Sequence, residues 1–276
     1  MPPPGGRRPR CLTCTAARYA DHVACSRAHL CPRRTPARRR GGACLSQGPL
    51  PNTTGDFWRM VAQTRAAAIV MLTGYVEGYS EKCAEYLPRR PGQEQTYAGG
   101  VRVRCVAVQS MALEGGEDAS DTAEPAGPAV ATEVQLEVRL PADGAGGEPH
   151  RVSQFHFLEW HDHNVPEERH LPGLARLSRR VRLHAVAAGG PVVVHCSAGI
   201  GRTGTYIAFD ASMGEAIASG HLFELPQLVA WLRTQRVMSV QSAAQYKLAV
   251  RLIKSELPHL EQHRRVVLSA AQLSKS

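Results

Sequence analysis

Val194-His195-Cys196-Ser197-Ala198-Gly199-Ile200-Gly201-Arg202-Thr203-Gly204 is the most informative stretch of this chain. The apolar run Pro191-Val192-Val193-Val194 reads as a strand that ends at His195-Cys196, and a helix-compatible stretch follows Arg202. A strand that turns directly into a helix converges backbone N–H groups on one point, and the helix N-terminus adds positive potential there. Gly199, Gly201 and Gly204 permit backbone angles and approaches that side chains block. Arg202 supplies a planar fork for two anion oxygens. A cysteine is a nucleophile only as its thiolate, and a free thiol titrates near about 8.5. A cradle of amides and a guanidinium favours the ionised form. Thr203 brings a hydroxyl beside Cys196 that suits donation to the sulfur. A lone cysteine is more often a core residue, and a bare C-x5-R pattern is common. Here strand, histidine, glycines, arginine and the following Thr-Gly agree on a cradle for a dianionic phosphate. His195 fits a loop-holding hydrogen bond better than an acid or base.

The segment resembles the signature loop of the cysteine-based protein tyrosine phosphatases, the large tyrosine-specific group, and the resemblance runs from about Ser46 to Lys254. It implies one α/β domain with a twisted mixed central sheet, helices on both faces, and the phosphate loop between a sheet strand and a helix. Phe155 through Pro166 occupies the place of the family's Trp-Pro-Asp loop. By that match Asp162 is the general acid, protonating the tyrosyl oxygen as it leaves, and Trp160 is the hinge anchor. Two departures stand out: His161 replaces the family's Pro, which frees φ there, and Asn164 replaces Gly. Gln241-Ser242-Ala243-Ala244-Gln245-Tyr246 resembles the glutamine loop, whose two amides, here Gln241 and Gln245, orient the hydrolytic water. Glu77 through Pro88 resembles a Glu-bearing hairpin. It implies that Glu77 holds Arg202 and that Lys82 approaches Asp162.

The resemblance further implies catalytic roles for Cys196, Arg202, Asp162, Gln241 and Thr203. Phosphate contacts come from Ser197, Ala198, Gly199, Ile200, Gly201, Arg202 and Gln245, with His195, Trp160, Glu77 and Lys82 in support. Its reaction is hydrolysis of phosphotyrosine in proteins through a phosphocysteine intermediate, with no metal and no cofactor. Phosphotyrosine-containing proteins are the implied partners. His161 and the eroded N-terminus leave an alternative open: a phosphotyrosine-binding module of weak or no turnover. A shallower pocket with broader specificity is a third reading.

Asp56 through Val61 and Ala66 through Thr73 match a helix and a buried strand, so Phe57, Trp58, Met60 and Val61 belong to the core. Val101–Val108 and Thr132–Leu140 alternate with period two, as half-buried strands do. The acidic, Ala/Gly/Pro-rich residues 114–131 read as an extended loop between them, and 143–148 as a second turn. Helices are expected over 203–218, 224–234 and 242–256, with Pro258 ending the last.

The chain has 276 residues, 43% of them hydrophobic, enough for one sizeable core. Its formal charge of +9 resides in the first fifty residues, which carry ten arginines against Asp21 alone; the remainder is balanced. The basic tail therefore does not make the domain a nucleic-acid binder, although it attracts acidic surfaces in a salt-sensitive way. No apolar run reaches the roughly 18 residues of a membrane span, and no signal-like apolar core follows the first arginines. The chain reads as cytoplasmic, with an organelle transit function of the Arg-rich segment as the alternative. Five of eight cysteines (Cys11, Cys14, Cys25, Cys31, Cys44) lie in this segment. Cys11-Leu12-Thr13-Cys14 is a zinc half-site lacking a second pair, and a reducing compartment disfavours disulfides. The expected division is a disordered tail over 1–44, a catalytic domain over 45–260 and a C-terminal tail over 261–276. The family's upstream ring-stacking loop has only a faint echo, in Arg18-Tyr19-Ala20-Asp21. The strand that follows it is expected to be absent, because too few residues separate Leu30 from Gln47 to hold it and Pro32 through Gly42 is no strand. The oligomeric state is not written in the sequence.

Overall fold

Cys196 follows an apolar strand flanked by strands on both sides, and the whole architecture grows from that position. The computed structural model describes residues 42–112, 129–141, 147–161 and 165–273, with the backbone of 23–25. In chain order these form β1 (Val23–Cys25), β2 (Ala43–Ser46), α1 (Thr54–Gln63), β3 (Ala68–Met71), the short hairpin β4 (Val76–Glu77) and β5 (Ser80–Glu81), and β6 (Glu94–Tyr97). There follow β7 (Val101–Ala112), β8 (Ala129–Arg139), β9 (His150–Phe157), α2 (Leu171–Ala188), β10 (Val192–His195), α3 (Gly201–Ser219), α4 (Leu225–Gln235), α5 (Ala243–Glu256) and α6 (Leu260–Leu273).

The sheet runs β1-β2-β10-β3-β9-β8-β7-β6. Its centre, β2, β10, β3 and β9, is parallel; β1 adds antiparallel at one side, and the meander β8-β7-β6 at the other. Parallel strands need cover on both faces, and the alternation of β3 provides for it. Ala68 and Val70 point into a core with Leu174, Leu177, Tyr206, Phe209 and Leu248 from the helices α2, α3 and α5. Ile69 and Met71 point into a second core with Phe57, Trp58 and Val61 of α1. The mixed α/β domain inferred from sequence is the fold observed. The four α1 residues assigned to the core are buried, and both alternating stretches are strands, β7 carrying a bulge between Cys105 and Ala107.

Three expectations are corrected. Residues 43–46 do form a strand, β2, and Val23–Cys25 pairs with it. Low strand propensity is overridden because β2 fits between two partners, β10 and β1. Cys44 and Ala43 thus belong to the sheet rather than to a disordered tail. Residues 260–273 are a helix: Pro258 sits in a 3-10 turn, where a missing N–H costs nothing, and that turn leads into α6. On α6, His263 Nδ1 lies 3.7 Å from Glu256 of α5, and its Nε2 lies 3.0 Å from Arg179 of α2. The eighteen-residue α2, a major part of the first core, was not anticipated at all. Residues 129–131, assigned to the acidic loop, already pair as β8. Most of that loop (113–128), of the second turn (142–146) and of the N-terminal segment lies outside the described residues.

Candidate active site

β10 delivers Cys196 to the rim of the sheet, 5% exposed. Four of the next five peptides are held from outside. Gly48 N–H donates to the Ser197 carbonyl at 2.9 Å, Arg236 Nη2 to the Ala198 carbonyl at 2.8 Å, and Val240 N–H to the Ile200 carbonyl at 3.3 Å. His195 Nδ1 meets the Cys196 carbonyl at 3.1 Å. In a trans peptide the N–H points opposite to the C=O, and every described peptide is trans. Tying these carbonyls outward therefore turns the amides of Ser197, Ala198, Gly199 and Gly201 toward the concave side. One already addresses the sulfur: Gly199 N–H donates to Cys196 Sγ at 3.2 Å. Gly199 has φ +69, and a Cβ there would collide with the Ser46 carbonyl, so only glycine fits. The first turn of α3 has no side-chain cap, leaving its N–H groups for an anion.

His195 is fully buried and accepts from the Tyr86 hydroxyl at Nε2, 2.8 Å away. A carbonyl only accepts, so the proton sits on Nδ1. Burial pushes the imidazole down to about 4 against the Cys196 carbonyl bond, so it is neutral at pH 7. Tyr86 is in turn held by the Trp58 indole, whose Nε1–H donates to its carbonyl at 2.6 Å. Gly48, between the Cys196 carbonyl and Cys83 Sγ, has no room for a Cβ. Burial, then the neighbouring Cys196, pushes the Cys83 thiol up to about 12, so it stays protonated.

Arg202, 4% exposed, is clamped by parts of the chain far apart in sequence. Its Nη1 donates to the Leu72 and Trp160 carbonyls, both at 2.9 Å, and to Glu77 Oε1 at 2.6 Å, while Nη2 donates to Glu77 Oε2 at 2.6 Å. Glu77 stands on the β4–β5 hairpin. It also accepts from Thr73 Oγ1 and Gly74 N–H, both at 3.0 Å. Burial alone would raise its carboxyl. The Arg202 hydrogen bonds, the Gly74 N–H, the Arg202 charge and the Thr73 hydroxyl outweigh that and hold it below the usual glutamate value.

Gln241 and Gln245 both lie against Gly201, where a Cβ would meet their side-chain amides, and Gln241 N–H donates to Gln245 Oε1 at 2.8 Å. Thr203 Oγ1 is buried with no hydrogen-bond partner among the described residues, so it does not bond the sulfur as its position in the sequence suggests. Trp160 is buried in the core, its carbonyl on Arg202. Lys82 follows β5, its amide on the Tyr75 carbonyl at 2.8 Å. Asp162 lies outside the described residues, and with it the Lys82–Asp162 approach; so does Tyr19. Sequence reasoning missed the supporting roles of Ser46, Gly48, Leu72, Tyr86 and Arg236. The turn Gln47-Gly48-Pro49 and the tract Trp231–Arg236 were visible, but nothing local says that they brace a loop about 150 residues or 38 residues away. Among the described residues no helix is long and apolar enough to cross a membrane.

Comparison with known proteins agrees with this arrangement. The family model for protein-tyrosine phosphatase matches residues 39–255. Human receptor-type tyrosine-protein phosphatase C is 37% identical over 210 residues, 73% of this chain and 14% of that protein. Receptor-type tyrosine-protein phosphatase F of Rattus norvegicus is 39% identical over 209 residues, 76% of this chain and 10% of that protein. Receptor-type tyrosine-protein phosphatase S of Gallus gallus is 39% identical, over 76% of this chain and 12% of its own length. The chain thus spans only a small fraction of the relatives it matches. With the signature loop, the guanidinium clamp and the fold in agreement, the chain belongs to the protein-tyrosine phosphatase family.

Proposed function

We propose that the protein hydrolyses phosphotyrosine in proteins in two steps. The Cys196 thiolate attacks phosphorus, the P–O bond to the tyrosyl oxygen breaks, and Asp162 gives that oxygen its proton. A water placed by Gln241 and Gln245 then attacks the phosphocysteine, giving its proton to Asp162, and the thiolate leaves with phosphate released. Arg202 and the amides of Ser197 through Gly201 meet the charge on the transferring group, so the reaction needs no metal. His195 is neutral and bonded at both nitrogens, which suits holding the loop and not proton transfer. Thr203, whose hydroxyl has no partner among the described residues, would serve the departing sulfur. The observation that carries the reading is the outward tying of the loop carbonyls around Cys196 Sγ and a carboxylate-held Arg202. A thiolate nucleophile belongs in a reducing compartment, so we assign the domain to the cytoplasm.

Cys196→Ser should abolish phosphate release from an aryl phosphate. Asp162→Ala should keep substrate binding and slow release by about 10²–10⁴-fold; turnover equal to the parent would remove Asp162 from the acid role. Capture of phosphotyrosine peptides by the unmodified protein, without release, would favour the binding-module reading. Release from phosphoserine peptides at a comparable rate would show broader specificity.

A further inference from the structure

The Trp160 carbonyl that braces Arg202 belongs to a segment with one rigid element on each side. β9 ends at Phe157, and α2 starts at Leu171, pinned to the sheet by buried Leu174 and Leu177. A proline after Trp160 would lock φ there; His161 does not. The buried indole anchors Trp160 from the core, and the tie between the two ends adds to the placement of its carbonyl. His170, the residue before α2, is in a position where a side chain usually caps a helix, yet it makes no capping bond. Its imidazole turns instead to Glu159: Nδ1 lies 3.4 Å from Glu159 Oε2, with the two side chains 11% and 30% exposed. Glu159 adjoins Trp160, whose carbonyl takes the Arg202 Nη1 proton at 2.9 Å. The other ion pairs nearby, Glu168 with Arg251 and Glu167 with Arg169, are solvent-exposed on both sides and contribute little.

We infer that His170 is a positioning residue. Paired with Glu159, it clips the start of α2 to the end of β9 and so sets the Trp160 carbonyl that orients the Arg202 fork. The inference rests on the phosphatase reading for its kinetic consequence, but its effect on Arg202 is independent of turnover. The test compares His170→Ala, Glu159→Gln and the double variant by steady-state kinetics on an aryl phosphate. In parallel, calorimetric titration with tungstate, a non-reacting phosphate mimic, measures binding. Each single variant should lower kcat about threefold to tenfold with KM little changed, because residues in one contact network couple. Each should weaken tungstate binding, and the double variant should be no worse than either single one. Losses that multiply in the double variant, or unchanged kcat and tungstate affinity in the singles, would overturn the clip. Partial unfolding lowers the titration's site count and not the affinity of folded molecules, so it does not mimic the expected result. A wild-type protein that binds tungstate without turning over aryl phosphate would sink the phosphatase reading, while the tungstate series still decides the clip. One that binds no tungstate would sink both.

Discussion

The two halves of the candidate site are built in opposite ways. The loop from Cys196 to Gly204 is contiguous, and its shape follows from a strand end, a glycine at φ +69 and a helix start. The clamp on Arg202 is assembled from Leu72, Glu77 and Trp160, up to 130 residues away. The loop can orient its amides only because Gly48, Arg236, Val240 and His195 hold its carbonyls, so even the local half leans on remote supports. A contiguous motif specifies which groups are present; non-local hydrogen bonds specify where they point.

The clamp offers the hardest test. Glu77→Ala leaves a buried guanidinium without its carboxylate and should cost about 3–5 kcal/mol of stability. Urea unfolding measures it, and a loss no larger than that of an exposed pair would mean that the clamp is incidental. Because the Glu77 carboxyl is held low in the fold, its contribution is complete at neutral pH and fades as acid protonates it.

The loop's support predicts a second acid dependence, of the same sign but through a base. His195 is held at about 4 in the fold, against about 6.5 when unfolded. Below 6.5 the unfolded chain binds a proton that the fold refuses. Stability should therefore fall by about 3 kcal/mol between pH 6.5 and 4, and level off beneath. Thermal melts across that range should show the slope, and His195→Asn should flatten it.

A comparable loss, this time in activity, should follow Gly199→Val. The side chain meets the Ser46 carbonyl in a backbone region that valine avoids, and displacing the loop by about an ångström costs roughly a hundredfold in rate. Parent-like kcat/KM would show that the loop is less tightly backed than its contacts imply. The smallest effect belongs to Tyr86→Phe, which removes one buried hydrogen bond to His195 and should cost about 1 kcal/mol of stability. Unfolding midpoints for Tyr86→Phe alone and together with His195→Asn would reveal whether the two act as one support.

Legibility tracked how local each feature is. α3 was readable because a strand, glycines and a helical run adjoin, and the meander because β7 and β8 alternate over many residues. α2 had its own pattern, with Leu174, Leu177, Ser178, Val181 and Ala185 all buried. That pattern is diluted by Arg176, Arg179, Arg180 and Arg182 and begins with Pro172-Gly173. Three of the arginines are matched by tertiary carboxylates, Arg180 with Glu133 at 2.8 Å, Arg182 with Asp210 at 2.6 Å and Arg179 with Glu256 at 3.6 Å, which no local reading can see. β2 failed for the converse reason: Ala43-Cys44-Leu45-Ser46 has little strand character of its own and is extended because neighbours on both sides supply hydrogen bonds.

From its sequence alone this protein disclosed its candidate nucleophile Cys196, its candidate anion-holding Arg202, the need for glycine at 199, and the α/β setting that the family resemblance implied. Those depend on residue type and short spacing, which a chain carries wherever it is. Only the tertiary structure decided that the Leu72 and Trp160 carbonyls join Glu77 in holding Arg202, which groups turn the loop amides inward, and that residues 43–46 and 260–273 join the fold. Those outcomes depend on hydrogen-bond partners and apolar faces supplied from distant positions, and such partners exist only once the chain has closed on itself.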